Sequence, residues 1–376
     1  MDTQVLLSWF DANERDLPWR RPGTSAWGVL LSEVMSQQTP VARVAPVWEE
    51  WMRRWPTPAD FAQATRAEVL RAWGKLGYPR RALCLRLSLT MDTQVLLSWF
   101  DANERDLPWR RPGTSAWGVL LSEVMSQQTP VARVAPVWEE WMRRWPTPAD
   151  FAQATRAEVL RAWGKLGYPR RALRLWECAG VIGSGEVPAD VDELLRLPGI
   201  GDYTARAVAC FHYGVNVPVV DTNVRRVYAR AEEGRFLAPQ PAKRELAAVA
   251  ELLPAENGPR FSAALMELGA LVCTAKNPSC EQCPLRASCA WQLAGRPEPS
   301  AQEQAQAKKR VQKFVGTDRQ VRGKILDVLR AADGPVPQSE IDVVWPDAAQ
   351  RSRALASLLA DGLAEQNDAG LFHLPI

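Results

Sequence analysis

No apolar stretch in this 376-residue sequence approaches the roughly 18 residues that a membrane-spanning helix needs, and no charged-then-apolar leader opens it. A soluble cytoplasmic protein with no membrane partner is the expectation. An excess of charge of either sign is also lacking, since 46 Lys and Arg stand against 43 Asp and Glu. A nucleic acid would therefore have to be held by local basic patches and backbone amides, not by a global field. Sustained apolar–polar alternation is missing until the C-terminal end, so the body is expected to be all helical. A disulfide framework is missing too. The seven cysteines are odd in number and four crowd into residues 273–289, a pattern that suits a metal or cluster site in a reducing compartment.

What is abundant is tryptophan, and a repeat explains most of it. Residues 1–83 recur without a change at 91–173, and the match breaks where Cys84 faces Arg174; each copy carries seven of the 17 tryptophans. Functional repeat arrays use shorter and more divergent units. A perfect copy restarting at Met91 reads instead as a recent tandem duplication or a gene-model error, which makes residues 1–90 surplus. Copy two runs straight into Leu175 and the later motifs, whereas copy one ends in the orphan stretch 84–90. If copy one built the body, about 90 residues would have to loop out between neighbouring helices, which structured domains rarely tolerate. Copy two is expected to be the working one. The stripe Trp27, Leu30, Leu31, Val34 and Met35 of copy one would then lack a complementary core.

In copy two the same stripe is Trp117, Leu120, Leu121, Val124 and Met125, the apolar face of a helix closed by Pro130. Glu123 lies off that stripe. Helical patterns follow near 130–144, 155–163, 170–182, 191–196, 203–213, 222–231 and 241–252. Residues 293–317, with Pro297, Pro299, a Gln/Ala run and the basic cluster Lys308-Lys309-Arg310, read as a linker. Beyond it, helices are expected at 320–331, 338–343 and 347–361. Gly362 is placed to cap the last, and a hairpin turns at 367–370. The expected order is thus a helical body over 91–292, the linker, and a small winged-helix-like α+β domain over 318–376.

Three motifs carry chemistry. Cys273, Cys280, Cys283 and Cys289 are close enough in sequence to wrap one cluster, with Pro284 stiffening the loop. Zinc competes for four thiolates, but zinc sites usually pair two short knuckles and this spacing has only one. A [4Fe–4S] cluster is the better reading. Cys84, Cys178 and Cys210 follow no such pattern and read as buried thiols. Second, Leu197-Pro198-Gly199-Ile200-Gly201-Asp202-Tyr203-Thr204 sets two glycines around one apolar residue before a helix. Bare backbone N–H groups there suit a DNA phosphate without reading sequence, although a lone G-x-G is more often a plain turn. Third, Asp221 follows two valines and precedes Arg225 and Arg226. In isolation, a helix N-cap is the leading reading for such an aspartate.

Taken together, Leu107-Pro108-Trp109-Arg110, the run Leu121–Thr129, Gly164-Lys165-Leu166-Gly167-Tyr168, the hairpin, Asp221 and the cysteines resemble the adenine DNA glycosylase (MutY) family over about residues 91–292. The resemblance implies a helix-hairpin-helix glycosylase with an iron–sulfur loop, acting on double-stranded DNA that contains an adenine mispaired with 8-oxoguanine or guanine, as a monomer. It implies Glu123 as general acid and Asp221 as catalytic aspartate, with Asn223 supporting the site. Tyr203 takes the position where the sister family, endonuclease III, carries a Schiff-base lysine, so a monofunctional enzyme is implied. Trp109, Arg110, Gln127, Gln128 and Thr129 match positions lining the base pocket or entering the DNA stack. Tyr168 matches the wedge beside the estranged base, while Gly199 and Gly201 match the DNA-binding hairpin. Such chemistry needs wedges to fill the gap of a flipped base and two carboxylates in divided roles.

The sequence departs from the family at two points. Pro169 stands where a second tyrosine is common. After Cys289 only the winged-helix-like segment remains, in place of the hydrolase-like domain that reads 8-oxoguanine in many members. Two other functions share features with the chain. A thymine–guanine mismatch glycosylase would share the hairpin, the aspartate and the cluster, but the Gln127-Gln128-Thr129 run argues against it. A non-catalytic iron–sulfur DNA-binding regulator would leave Glu123 and Asp221 without a task.

Overall fold

The computed structural model describes residues 3–62, 64, 66–78, 81–82, 92–241, 243–309 and 314–376. The orphan stretch with Cys84, the restart at Met91 and Arg310 of the basic cluster lie outside them. Two compact units emerge: residues 1–99, 222–240 and 268–300 form one, and 100–221, 241–267 and 301–376 the other. Among the described residues the structure is helical apart from one short hairpin, and no helix is long and apolar enough to cross a membrane.

In the second unit the expected stripe of the helix Ala116–Ser126 goes into the core. Leu120, Leu121 and Met125 are fully buried and cluster with Val134, Trp141, Phe151, Val159 and Trp163. Local chemistry starts each of these helices. Ser115 accepts the Gly118 N–H, and capping boxes at Thr147 and Thr155 open Pro148–Ala152 and Arg156–Trp163. Aromatic edges lock the layer, with Trp141 tilted on Phe151 at 4.9 Å and edge-on to Trp163 at 5.6 Å.

The same unit ends in the helices Asp318–Ala331, Gln338–Asp342 and Ala348–Ala360 and the antiparallel strands Glu365–Gln366 and Phe372–His373. Asn367 builds the turn between the strands: its side chain accepts the Ala369 and Leu371 N–H groups. Val321, Ile325, Leu355, Leu358 and Phe372 share one core with Leu160, so this segment packs on the helix Arg156–Trp163. Two departures from the expected elements stand out. The interval expected as linker holds a helix, Ala301–Lys309, because the Gln/Ala run is made of strong helix formers once its prolines are passed. The helix Gly258–Leu271 has no expected counterpart, although Phe261, Ala264, Leu265 and Leu268 recur at helical spacing.

Copy one, in the first unit, repeats the local fold. Helices Thr3–Asn13, Ala26–Ser36, Val41–Arg54, Pro58–Ala62 and Arg66–Trp73 gather a core around Trp51, Phe61, Trp73, Leu31 and Met35. The expectation that its stripe lacks any core is therefore corrected, but only for one side. Leu30 is 50% exposed where its twin Leu120 is 0%, and Val29 is 43% exposed where Val119 is 5%. The helix Thr3–Asn13 buries nothing, whereas Leu96, Leu97 and Phe100 of its twin are buried.

Identical sequence in unequal surroundings gives a direct test. Leu120→Ala is expected to cost about 2–5 kcal/mol in chemical denaturation, as a core truncation does. Leu30→Ala should change stability by less than about 0.5 kcal/mol, as at an open surface. Equal losses in the two variants would mean that copy one shares the burial seen for copy two.

Candidate active site

The site is built where the helix Ala116–Ser126 meets the helix Asp202–Phe211. Glu123 is half-buried, and the Tyr203 hydroxyl donates to its carboxylate at 2.8 Å. Burial pushes Glu123 up to about 7, and the nearby negative charge of Asp221 adds to this. The Tyr203 hydrogen bond and, more weakly, Arg110 act the other way. Tyr203 itself is raised well above the ordinary phenol, first by burial and then by the charges of Glu123 and Asp221. It is thus a neutral donor over the whole working range. Asp221, half-buried after the buried Val219, is the last residue before the helix Thr222–Ala231. The two carboxyls are thus in electrostatic reach of each other, and the Glu123 carboxyl is raised to about 7.

Backbone ends are tied down around this pair. The Arg171 guanidinium donates to the carbonyls of Val124 at 2.7 Å and Gln127 at 2.6 Å, and to Thr129 Oγ1 at 3.1 Å. It thereby staples the C-terminal end of the Glu123 helix, where carbonyls lack helical partners. The hairpin lies close by. Gly199 has φ 75°, and a Cβ there would stand 2.6 Å from Arg174 Cβ, so only glycine fits. Gln127, Arg170, Arg171, Arg174, Pro198 and Gly199 line a recess beside it. Arg174 is the first residue after the end of the repeat, so only copy two is continuous with this contact.

The remaining sequence candidates scatter. The Gln127 side-chain amide donates to Thr204 Oγ1 at 3.2 Å, next to Tyr203, whereas Gln128 is exposed at φ 55°. Thr129 is buried and donates to the Leu166 carbonyl at 2.9 Å, so it fastens a turn. Trp109 packs edge-on against Trp138 at 5.9 Å. Arg110 donates to Glu267 at 2.9 Å, and Arg105 donates to the same carboxylate at 2.6 Å and 3.1 Å. Burial alone would raise the completely buried Glu267, but the two guanidiniums hold it below the ordinary carboxylate range. Sequence reasoning missed Glu267 because its helix was not expected. Gly201 caps the helix that carries Tyr203, and Tyr168 stands exposed at φ 47°.

Asn223 and the four cysteines belong to the other unit. There Asn223 accepts from Arg226 at 2.6 Å and lies so close to Gly269 that a Cβ on that glycine would sit 2.6 Å from its own Cβ. Arg226 also donates to the carbonyls of Gly269 and Cys273. Cys289 is buried, while Cys273, Cys280 and Cys283 are half-buried; the charges of Cys273 and Cys280 act on both Cys283 and Cys289. Arg230, 2% exposed, donates to Cys273 Sγ at 3.3 Å and to the carbonyls of Thr274 and Ala275. A buried cation on the Cys273 sulfur suits a thiolate ligand there, because it offsets the charge. Cys178 and Cys210 are buried in the core, and burial pushes them up to about 12 and about 11, as it pushes Cys283 up to about 12.

The family model for HhH-GPD superfamily base excision DNA repair proteins matches residues 31–86 and 121–254, beginning at the equivalent residue of each copy. The model for the iron–sulfur binding domain of endonuclease III matches residues 273–289. An adenine DNA glycosylase of Mycolicibacterium smegmatis is 61% identical over 284 residues, covering 74% of this chain and 94% of the relative. One from Mycobacterium tuberculosis is 57% identical over 286 residues, covering 74% and 92%. Among solved structures, a thermostable thymine-DNA glycosylase has a TM-score of 0.50 at 25% identity, covering 54% of this chain and 95% of that one.

The raised Glu123 predicts a pH-dependent stability cost. Because the folded state holds this proton up to about 7 and the unfolded chain only to an ordinary 4.5, stability falls as pH rises through that window. Glu123→Gln removes the cost. The variant should match the parent near pH 4 and exceed it at pH 8 by roughly 1–3 kcal/mol in chemical denaturation. A variant no more stable than the parent at pH 8 would contradict the burial of this carboxyl.

Proposed function

The chain belongs to the HhH-GPD superfamily of base excision DNA repair proteins, and within it to the adenine DNA glycosylases; on that basis we propose that it excises adenine mispaired with 8-oxoguanine or guanine, acting as a monomer on double-stranded DNA. It is a hydrolase of the N-glycosidic bond of adenine and an iron–sulfur protein of the [4Fe–4S] class. The observation that carries the site assignment is the hydrogen bond from Tyr203 to Glu123, whose burial and whose neighbour Asp221 raise its carboxyl to about 7. Glu123 delivers its proton to the purine, and the C1′–N9 bond breaks with its electron pair leaving on the neutralised base. Asp221 remains ionised and faces the positive charge that develops on the sugar, until water adds to C1′ and gives its proton to the now ionised Glu123, which restores the acid. Tyr203 has no amine to attack C1′, which supports a monofunctional reaction without a Schiff base. It orients the Glu123 carboxyl instead.

In the same reading, Tyr168 is the wedge beside the estranged base, and Gln128 fills the stack from its exposed turn. The hairpin amides at Gly199 and Gly201, with the arginine-lined recess, hold a phosphate. Cys273, Cys280, Cys283 and Cys289 hold the cluster, which when bound ties the loop together as a covalent cross-link. Residues 91–292 act as the glycosylase body and 318–376 as a winged-helix-like module. Thymine release is not favoured, since the glycosylase relatives at 61% and 57% identity are both named for adenine. A purely binding role would leave the protonated acid without a task.

Single-turnover release from a duplex panel tests the assignment. Glu123→Gln and Asp221→Asn should each lower adenine release by about 10²–10⁴-fold, with duplex binding retained. Glu33→Gln, the same change in copy one, should leave release unaltered. Near-full activity in either of the first two variants, or its loss in the third, would overturn the assignment.

A further inference from the structure

The wedge tyrosine is not held by the glycosylase body alone. Its turn is rigid: the Trp163 indole donates to the Gly167 carbonyl at 2.9 Å, and Arg171 donates to the same carbonyl at 3.0 Å. The ring projects outward from that turn. Arg319 Nη1, from the first turn of the helix Asp318–Ala331, donates to the Tyr168 hydroxyl at 2.7 Å. The Arg319 guanidinium carbon lies 5.7 Å from the ring centre. The Arg171 guanidinium carbon lies 5.5 Å from the same ring centre, so the ring meets one arginine from the body and one from the C-terminal segment.

Copy one supplies an internal control. Tyr78, the twin of Tyr168, keeps the local arginine contact, with Arg81 at 5.1 Å, yet is 63% exposed where Tyr168 is 40%. The local sequence therefore does not account for the cover on Tyr168. Arg319 is itself fixed, because its helix is joined to the body. Arg330 donates to the Leu160 carbonyl at 3.0 Å, Arg170 pairs with Asp361 at 2.7 Å, and Ile325 shares a core with Leu160. Phe314, 53% exposed, lies 5.7 Å from the same guanidinium, so aromatic, cation and aromatic form a row on the surface. Such rows suit unstacked bases, which have faces but need no sequence-specific partner.

We propose that Arg319 of the C-terminal module is a positioning residue for Tyr168, which makes that module a specificity element for the base opposite the excised adenine. The inference rests on the reading of Tyr168 as the wedge. A tyrosine held at its hydroxyl has lost most of its side-chain freedom before DNA arrives, so insertion costs less ordering. The gain appears where insertion discriminates, between adenine opposite 8-oxoguanine and adenine opposite guanine.

A double-mutant cycle in the full chain tests this, read as single-turnover rates on those two duplexes with the melting temperature measured in parallel. Tyr168→Phe removes only the hydroxyl, and Arg319→Ala removes only its partner. Each should lower the rate ratio between the two duplexes by roughly three- to tenfold, as expected for one charge-assisted hydrogen bond at a half-exposed site. The double variant should be no worse than either single, Arg319→Lys should recover part of the ratio, and the melting temperature should stay unchanged. Additive losses, or a normal ratio in Arg319→Ala while Tyr168→Ala is impaired, would overturn the proposal with the wedge reading intact. A normal ratio in Tyr168→Ala would overturn the wedge reading and the proposal with it.

Discussion

Everything at the centre of this molecule depends on how a buried carboxyl is compensated, and the chain holds two opposite solutions. Glu267 is sealed from water and receives two guanidiniums, Arg105 and Arg110, so it stays ionised and is held low. Glu123 receives one neutral hydroxyl, from Tyr203, and has Asp221 as a negative neighbour. Desolvation then prevails and the proton stays on. The first arrangement is structural, a charged rivet between the 105–110 segment and the helix that carries Glu267. The second keeps an acid ready near neutrality, at a cost in stability that the surrounding helices must offset.

The duplicated segment shows how little of this is local. Copy one repeats each residue, the Ser25 cap, the tryptophan layer and the arginine staple: Arg81 reaches Val34 and Thr39 as Arg171 reaches Val124 and Thr129. Yet one side of its glutamate helix stays open to water, and Glu33 is exposed where Glu123 is half-buried. Local propensity and capping reproduce the helices in both copies. Only burial against the hairpin helix raises this carboxyl above the ordinary range.

That division explains what could be read in the sequence. Stripes, caps and turn residues are short-range signals. They foretold the helix Ala116–Ser126, the hairpin around Gly199, the three C-terminal helices and the Asn367 turn. The cysteine spacing foretold the cluster in the same way. The hydrogen bond from Tyr203 to Glu123 spans 80 positions and has no local trace. In the sequence Tyr203 was only an occupant of a lysine's place; its positioning role needed coordinates. The hydrogen bonds from Thr129 to Leu166 and from Arg171 to Val124 and Gln127 span 37 to 47 positions and likewise leave no local trace. Glu267 was missed because the Ala- and Gly-rich helix around it carries a weak stripe. The helix at Ala301–Lys309 was hidden by the prolines before it.

The most direct test of the account is the titration of Glu123 itself. Difference infrared spectroscopy of the full chain, with the protonated carboxyl band assigned by its disappearance in Glu123→Gln, reports the protonation of this one group. The account predicts a midpoint at about 7 in the folded protein, moving downward when Asp221→Asn removes the neighbouring charge. A midpoint at the ordinary carboxylate value near 4.5 would mean that Glu123 is ionised at neutral pH, and the acid role assigned to it would fall.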